Sequence, residues 1–255
     1  MDRRAPQEPP TSDERELVAE TVGWAFPGAL PGSRRTLVAS AEVRAFRAGQ
    51  TVIAQGDDSR TGLVLDGHFG FRRTTVDGRE VITLIGSRGQ LGPTLPIARR
   101  PSSSDLLALS AGRVALWPAS DFHLLAAEDA GFALALLEHV LQAVEEVIER
   151  MDGLLYQNAQ RRVARVLDQH AEIIFGEEPA ITRAYLPALI GTSREMTGRV
   201  LRQLESDGVV KRIGRNRLRL VDAARLARTA APPSTPRDGE RRNKFLAVSR
   251  RAMQE

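Results

Sequence analysis

From Ala119 to Glu178 the chain carries no proline, and inside that stretch Ala133, Leu137, Val140, Val144, Val147, Met151 and Leu154 recur at alternating spacings of four and three. Apolar residues at that period form the a/d seam of a coiled coil. Leu134, Leu141, Ile148 and Leu155 run as a second stripe beside it, while Glu138, Glu145, Glu149 and Asp152 fall on other faces. About 25 residues at about 1.5 Å each give a helix near 40 Å, longer than a small domain needs. The spacing predicts a dimer helix over residues 127–157. Leu137, Val140, Val144, Val147, Met151 and Leu154 would face a second copy, and the other stripe would pack on the preceding domain. A wide apolar face is also what an ordinary core helix shows.

The flanks of this helix differ in texture. From about residue 40 to 125, short alternating runs are punctuated by glycine and aspartate, as in "TVIAQGDD", "GLVLDGHFGFRR" and "DGREVITLIGSRGQLG". Several short strands at this spacing predict a sandwich or barrel. Asp77-Gly78 between two runs predicts a hairpin whose two turn residues both take positive φ. Residues 1–16 are polar and proline-bearing, and are expected to be disordered. Residues 229–255 are basic and proline-rich, with a disordered tail expected and a short basic helix as the alternative. The expected organisation is therefore tail 1–16, β domain 17–126, dimer helix 127–157, a third module 158–228 and tail 229–255.

Composition removes several function classes. With no cysteine there are no disulfides and no cysteine-ligated zinc or iron–sulfur cluster, and a reducing compartment such as the cytoplasm is expected. No stretch approaches the about 20 apolar residues of a membrane span, so no membrane role is expected. The N-terminus has no apolar run of the signal-peptide kind. His68, His123, His139 and His170 are scattered without metal-ligand spacing, so no metal is expected. No Walker loop, G-x-S-x-G elbow or H-E-x-x-H motif is present, so an enzyme is not expected. The net charge of +4 is too mild to identify a partner without clustering on one face.

The third module, "ITRAYLPALIGTSREMTGRVLRQLESDGVVKRIGRNRLRLVD", has that clustering. Thr182 can cap a short helix reaching Ile190, and Gly191 supplies a tight turn. Thr192 then caps a second helix with Glu195 three residues on, a capping-box pattern. Met196, Val200, Leu201 and Leu204 form its apolar face, and Gly208 ends it. "VVKR", a turn and "RLRLVD" complete a two-stranded ribbon. Helix, turn, helix and ribbon make a winged helix-turn-helix. Glu195 has two candidate tasks, capping the helix or accepting a hydrogen bond from a cytosine amine; Arg194 beside it can grip a guanine edge. A binder that only neutralises phosphates gains nothing from an acid at this place.

Over residues 20–228 the chain resembles the cyclic-AMP receptor protein/fumarate-nitrate regulator family of bacterial transcription factors. The carrying motifs are "ITRAYLPALIGTSREMTGRVLRQLESDG", with its G-x-S-R-E-x-x-x-R core, and "GQTVIAQGDDS" with "LVLDGHFGFRRTTVDGREVITLIG". The resemblance implies an α+β fold: a cyclic-nucleotide-binding-type β-roll, a long dimerisation helix and a C-terminal winged helix-turn-helix. It implies that Arg194, Glu195 and Arg199 read a TGTGA-like half-site. Thr182, Arg183, Thr192 and Ser193 would hold phosphates, and Arg202 would add a contact. The implied partners are double-stranded DNA, a second copy of the chain and RNA polymerase. Pro187 departs from the family's first helix and is expected to distort it slightly.

In the family's nucleotide-binding members a Gly-Glu pair takes the ribose and an Arg-Ser pair takes the cyclic phosphate. Here Pro93 follows Gly92 where the glutamate would stand, and Ser103-Ser104 fall where Arg-Ser would stand. Val147 and Ile148 replace the hydroxyls expected near adenine. A buried phosphate without its arginine is costly. These departures disfavour cyclic AMP. Gly92, Arg100, Ser103 and Ser104 remain candidates for another small anion, and a pocket with no ligand is the other expectation. Two further readings stand beside the regulator: a ligand-sensing module that docks a protein, and a haem-based gas sensor.

Overall fold

The structure is a computed structural model that describes residues 11–231. It opens with α1 (Ser12–Ala25) and α2 (Pro31–Ser40). The expectation of disorder through residue 16 is corrected here: Ser12 to Glu16 form the first turns of α1. The cause is local. Thr11 and Glu14 form a reciprocal capping box, with Glu14 N donating to Thr11 Oγ1 at 3.3 Å and Thr11 N donating to Glu14 Oε2 at 2.9 Å. Residues 1–10 and the basic stretch beyond 231 lie outside the described residues.

Eight strands follow: β1 (Glu42–Phe46), β2 (Thr51–Ile53), β3 (Arg60–Asp66), β4 (Phe69–Thr74), β5 (Glu80–Gly86), β6 (Leu91–Gly92), β7 (Asp105–Ala108) and β8 (Gly112–Pro118). They form two antiparallel four-stranded sheets, ordered β1-β8-β3-β6 and β2-β7-β4-β5. Ile53, Val64, Phe69, Leu106, Val114 and Leu116 fill the space between them. The β4–β5 hairpin forms, but only Gly78 takes positive φ, at 76°. The turn runs from Thr75 to Arg79, closed by Thr75 N donating to Arg79 O at 2.9 Å. The longer loop removes the need for a left-handed aspartate.

A second core lies on the outer side of the first sheet. Phe26, Phe122 and Phe132 cluster there with Trp117, whose indole Nε1 donates to Leu37 O at 2.9 Å. Helices α3 (Ala119–Glu128) and α4 (Ala130–Tyr156) meet at Asp129. Asp129 caps α4 through Phe132 N at 3.0 Å and holds Leu30 N at 2.7 Å, tying the α1–α2 loop to the base of the long helix.

The side of α4 that faces the roll is not the expected one. Phe132 and Ala135 are buried, and His139, Ala143 and Arg150 are half-buried on that side. Leu134, Leu141, Ile148 and Leu155, expected to pack on the roll, are exposed. Leu137, Val140, Val144, Val147, Met151 and Leu154 are exposed as well. The two stripes form one broad apolar face, and the roll takes a narrower line of small and polar residues.

The C-terminal part comprises α5 (Ala159–Gln169), α6 (Ala171–Phe175), α7 (Leu186–Ile190), α8 (Arg194–Ser206), β9 (Val210–Ile213), β10 (Arg217–Leu220) and α9 (Ala223–Ala230). Val163, Leu167, Leu186, Leu201, Leu204 and Leu226 form its core. That core continues into Ile82 and Leu107 of the second sheet, so the helix-turn-helix packs on the roll.

Candidate nucleic-acid interface and nucleotide pocket

The recognition helix α8 begins one residue later than expected. Ser193, not Thr192, is its N-cap, with Met196 N donating to Ser193 Oγ at 3.1 Å. Thr192 is taken up by the preceding turn, where its N–H donates to Pro187 O at 3.1 Å. Gly191, at φ 70°, makes that turn and needs to be glycine for it. The capping-box task of Glu195 is therefore corrected. Its carboxylate instead meets Arg199 Nη2 at 2.9 Å, one turn along the helix.

Thr197, Val200, Leu201 and Leu204 bury one face of α8. Ser193, Arg194, Glu195, Arg199 and Arg202 stand exposed on the other. Thr182 is half-buried; it opens the turn that leads to α7 rather than capping a helix, its carbonyl accepting from Tyr185 N at 3.0 Å. Pro187 lies in the first turn of α7, where no helical N–H partner is required. The distortion expected from it has no cause at that position.

Arg183 differs from its neighbours. Its Nη1 donates to Arg215 O at 3.1 Å and its backbone N–H to Asn216 O at 3.0 Å, so it anchors the wing turn. Burial, then nearby Arg212, lowers its pKa from the ordinary arginine value. The wing itself adds residues the sequence reading passed over. Leu218 is buried, so the alternation in "RLRL" turns Arg217 and Arg219 outward, and Lys211 and Arg215 are exposed beside them. That alternation was the available signal. Arg217 is partly engaged, its Nη2 donating to Glu177 O at 2.7 Å.

The cavity of the roll where the family resemblance would place an effector has a volume of about 140 Å³ and is lined by Gly92, Pro93, Ser103, Ser104, His139 and Val147, among others. Gly92, Ser103 and Ser104 are brought together as expected from the sequence; Arg100 is not, and is exposed outside the lining. Ile148 also stays outside, exposed on α4. No arginine lines the cavity. Arg72, on the strand that carries Phe71, is held by Asp105 at 2.7 Å and Glu80 at 3.1 Å. The Phe71 ring presses on Gly92 so closely that a Cβ there would sit 2.4 Å from it. The Ser102–Ser104 turn is closed on itself, Ser102 Oγ donating to Ser104 O at 2.6 Å. His139 is the titratable group in the lining; burial lowers its pKa from the ordinary histidine value, and its Nε2 lies 3.0 Å from Ala25 O. The cavity is therefore uncharged near neutral pH.

Residues 161–229 match the model of the Crp-like helix-turn-helix domain, and residues 43–129 match that of the cyclic nucleotide-binding domain. The chain belongs to the CRP/FNR family. It is a helix-turn-helix transcription regulator of that family with a cyclic-nucleotide-binding-type domain. The cAMP-activated global transcriptional regulator Vfr of Pseudomonas aeruginosa is 26% identical over 186 residues, 68% of this chain and 87% of that protein. Among solved structures, a putative CRP/FNR regulator from Eubacterium rectale aligns with TM-score 0.69 at 16% identity, covering 79% of this chain and 94% of the other. A CRP/FNR regulator from Thermus thermophilus aligns with TM-score 0.65 at 20% identity, covering 76% and 100%. The family fold matches the one expected from the motifs. Among the described residues, no helix is long and apolar enough to cross a membrane.

Proposed function

We propose that this CRP/FNR regulator binds a palindromic operator with TGTGA-like half-sites as a homodimer, and that cyclic AMP is not its switch. The observation that carries the DNA reading is the tip of α8. Arg194, Glu195 and Arg199 are all exposed there, and the helix cap uses none of them. Arginine suits the O6 and N7 acceptors of guanine, and a carboxylate suits the amine of cytosine. Arg202 extends the same face; Thr182, Thr192, Ser193 and the wing bases serve the phosphates. Arg183 acts mainly by holding the wing.

The broad apolar face of α4 supports the homodimer, because an exposed apolar patch of that breadth marks an interface. Two-fold symmetry then sets half-sites about one helical turn apart. RNA polymerase is the expected partner at the promoter. The small, uncharged, arginine-free cavity supports a switch other than cyclic AMP, in contrast to the relative named as cAMP-activated. Ligand pockets begin at about 300 Å³. A ligand can shift the regulator only through unequal affinity for its two states.

The test is fluorescence anisotropy on a duplex carrying TGTGA-N6-TCACA, with a scrambled duplex as control, with and without cyclic AMP. Selective binding unchanged by cyclic AMP is expected. Binding that appears only with cyclic AMP would overturn the pocket reading, and no preference over the scrambled duplex would overturn the operator.

A further inference from the structure

A larger cleft lies where α4, α5, α7 and β5 meet, between the roll and the helix-turn-helix. Its volume is about 330 Å³, more than twice that of the roll cavity. It has the size at which small-molecule sites begin.

Its lining carries charged and polar groups that are incompletely paired. Arg162 Nε and Gln157 Oε1 are both buried with no hydrogen-bond partner. Buried polar atoms in native proteins are nearly always bonded, so each such atom needs a reason. Arg165 lies three residues along α5 from Arg162, and its nearest carboxylate is Glu149 at 3.6 Å. Gly153 is buried on α4 and opens the floor of the cleft. A Cβ on it would stand 3.6 Å from Arg165 Nη1 and 3.9 Å from Gln157 Oε1. Glycine inside a helix costs about 0.5–1 kcal/mol against alanine; here it leaves bare room before a guanidinium and an amide. Leu84, Ile85 and Ile190 give the cleft an apolar wall.

The charges favour an anion. Arg150, Arg162 and Arg165 line the cleft against Glu146 and Glu149. Arg150 is already engaged, donating to the carbonyls of Ala188 and Leu189 at the end of α7. It links the long helix to the helix-turn-helix through the wall of the cleft. His170 is held below the ordinary histidine pKa by burial and then by Arg150, so it is neutral and can donate or accept.

We propose that this cleft binds a small organic anion, a phosphate ester or carboxylate that also bears a hydroxyl. The anionic group meets the guanidinium groups of Arg165 and Arg162. Arg162 now donates through Nη1 to Gln157 O at 3.3 Å, and a side-chain shift on binding turns Arg162 Nε to the anion and Gln157 Oε1 to the hydroxyl. An occupant there touches both the roll side and the helix-turn-helix side, beside the Arg150 link. The site shares Thr83 and Leu84 with the roll cavity but none of the residues proposed to read DNA, so it stands or falls independently of the operator.

The test is calorimetric titration of the full chain with glycerol 3-phosphate and with glycerate, and with glycerol as the neutral control. The two anions separate the phosphate source from the carboxylate source. At least one is expected to bind saturably with Kd below about 1 mM, while glycerol does not. Arg162→Gln and, separately, Arg165→Gln should each weaken it at least about tenfold, the scale of a charge-assisted hydrogen bond. Arg194→Ala should leave it unchanged. Circular dichroism establishes that each variant is folded. Saturable binding by neither anion overturns the proposal. So does binding that survives both cleft variants or that is lost with Arg194→Ala, which would put the anion on the recognition helix.

Discussion

Arg199 Nη2 stands 2.9 Å from Glu195 Oε1, across one turn of the exposed face of α8. The two side chains are 63% and 80% exposed, so water screens the pair. Exposed i,i+4 pairs contribute about 0.3–0.5 kcal/mol. Stability is a weak reason for this arrangement. Its other effect is to hold a carboxylate and a guanidinium side by side on the face proposed to read bases. Glu195→Ala should change unfolding free energy by no more than about 0.5 kcal/mol while blurring a C·G preference at one operator position. Anisotropy against duplexes substituted at every half-site base measures this. An unchanged preference at all positions would remove Glu195 from the reading face.

Arg194 is exposed at the start of the same face, and its proposed task is the guanine edge. Arg194→Ala should cost about 1–3 kcal/mol on the operator and relax specificity at one base pair. The contrast is Arg215→Ala on the wing, which should weaken specific and random duplexes alike and flatten the salt dependence. Equal losses on both duplexes for Arg194→Ala would make it a phosphate contact only.

The start of α8 separates two caps that look alike in sequence. Ser193→Ala should destabilise the chain by about 1 kcal/mol, the usual worth of an N-cap. Thr192→Ala should stay within about 0.5 kcal/mol. Urea unfolding of both variants decides it, and a larger loss at Thr192 would restore the earlier helix start.

Those two residues also show how far the sequence carries. T-x-x-E occurs at Thr11–Glu14 and again at Thr192–Glu195, and the reciprocal bonds form only at the first. At the second, the left-handed Gly191 and the bond from Thr192 N to Pro187 O pull Thr192 into the turn. Cap patterns are local, and a tight turn one residue upstream overrides them. The β-roll strands, the length of α4 and the register of α8 were legible because periodicity and turn residues are also local. The orientation of α4 was not. Which of its faces meets the roll depends on Phe132, Ala135 and His139 fitting beside Phe26, contacts between residues more than a hundred positions apart. The Arg150 link to α7 and the close approach of Phe71 to Gly92 span fewer positions, but they too join different elements and no local pattern marks them.

The exposed face of α4 gives a dimer test sharper than the heptad seam alone. If both stripes serve one interface, Val144→Glu and Ile148→Glu should each shift the chain toward monomer, since a buried unpaired carboxylate is costly. Sedimentation velocity at low micromolar concentration reads this directly. A dimer that tolerates Ile148→Glu would confine the interface to the first stripe, and one that tolerates Val144→Glu would refute the seam.

His139 ties the fold to pH. Its ring packs edge-on to Phe26 with centroids 5.5 Å apart, and its Nε2 meets Ala25 O at 3.0 Å. Burial is the largest influence and lowers its pKa, while the Ala25 carbonyl and then Glu138 oppose the shift. In the unfolded chain histidine titrates near about 6.5. Above that pH both states are neutral and the folded protein keeps its full stability. As pH falls below it, the unfolded chain takes up the proton first, and stability is lost down to the folded pKa. His68 and His170, also lowered by burial, act in the same direction. Glu146 acts in the opposite sense: its raised pKa, caused by burial and then Glu149, favours folding as pH falls toward the ordinary carboxylate range. The comparison that isolates His139 is wild type against His139→Gln, which keeps an amide to donate to Ala25 O. At fixed protein concentration, urea unfolding between about pH 7.5 and 5.5 brackets the histidine range. It should show stability falling in wild type and falling less in the variant. Equal losses in the two proteins would mean that the ring takes up its proton as readily in the folded state as in the unfolded chain, free of the burial against Phe26.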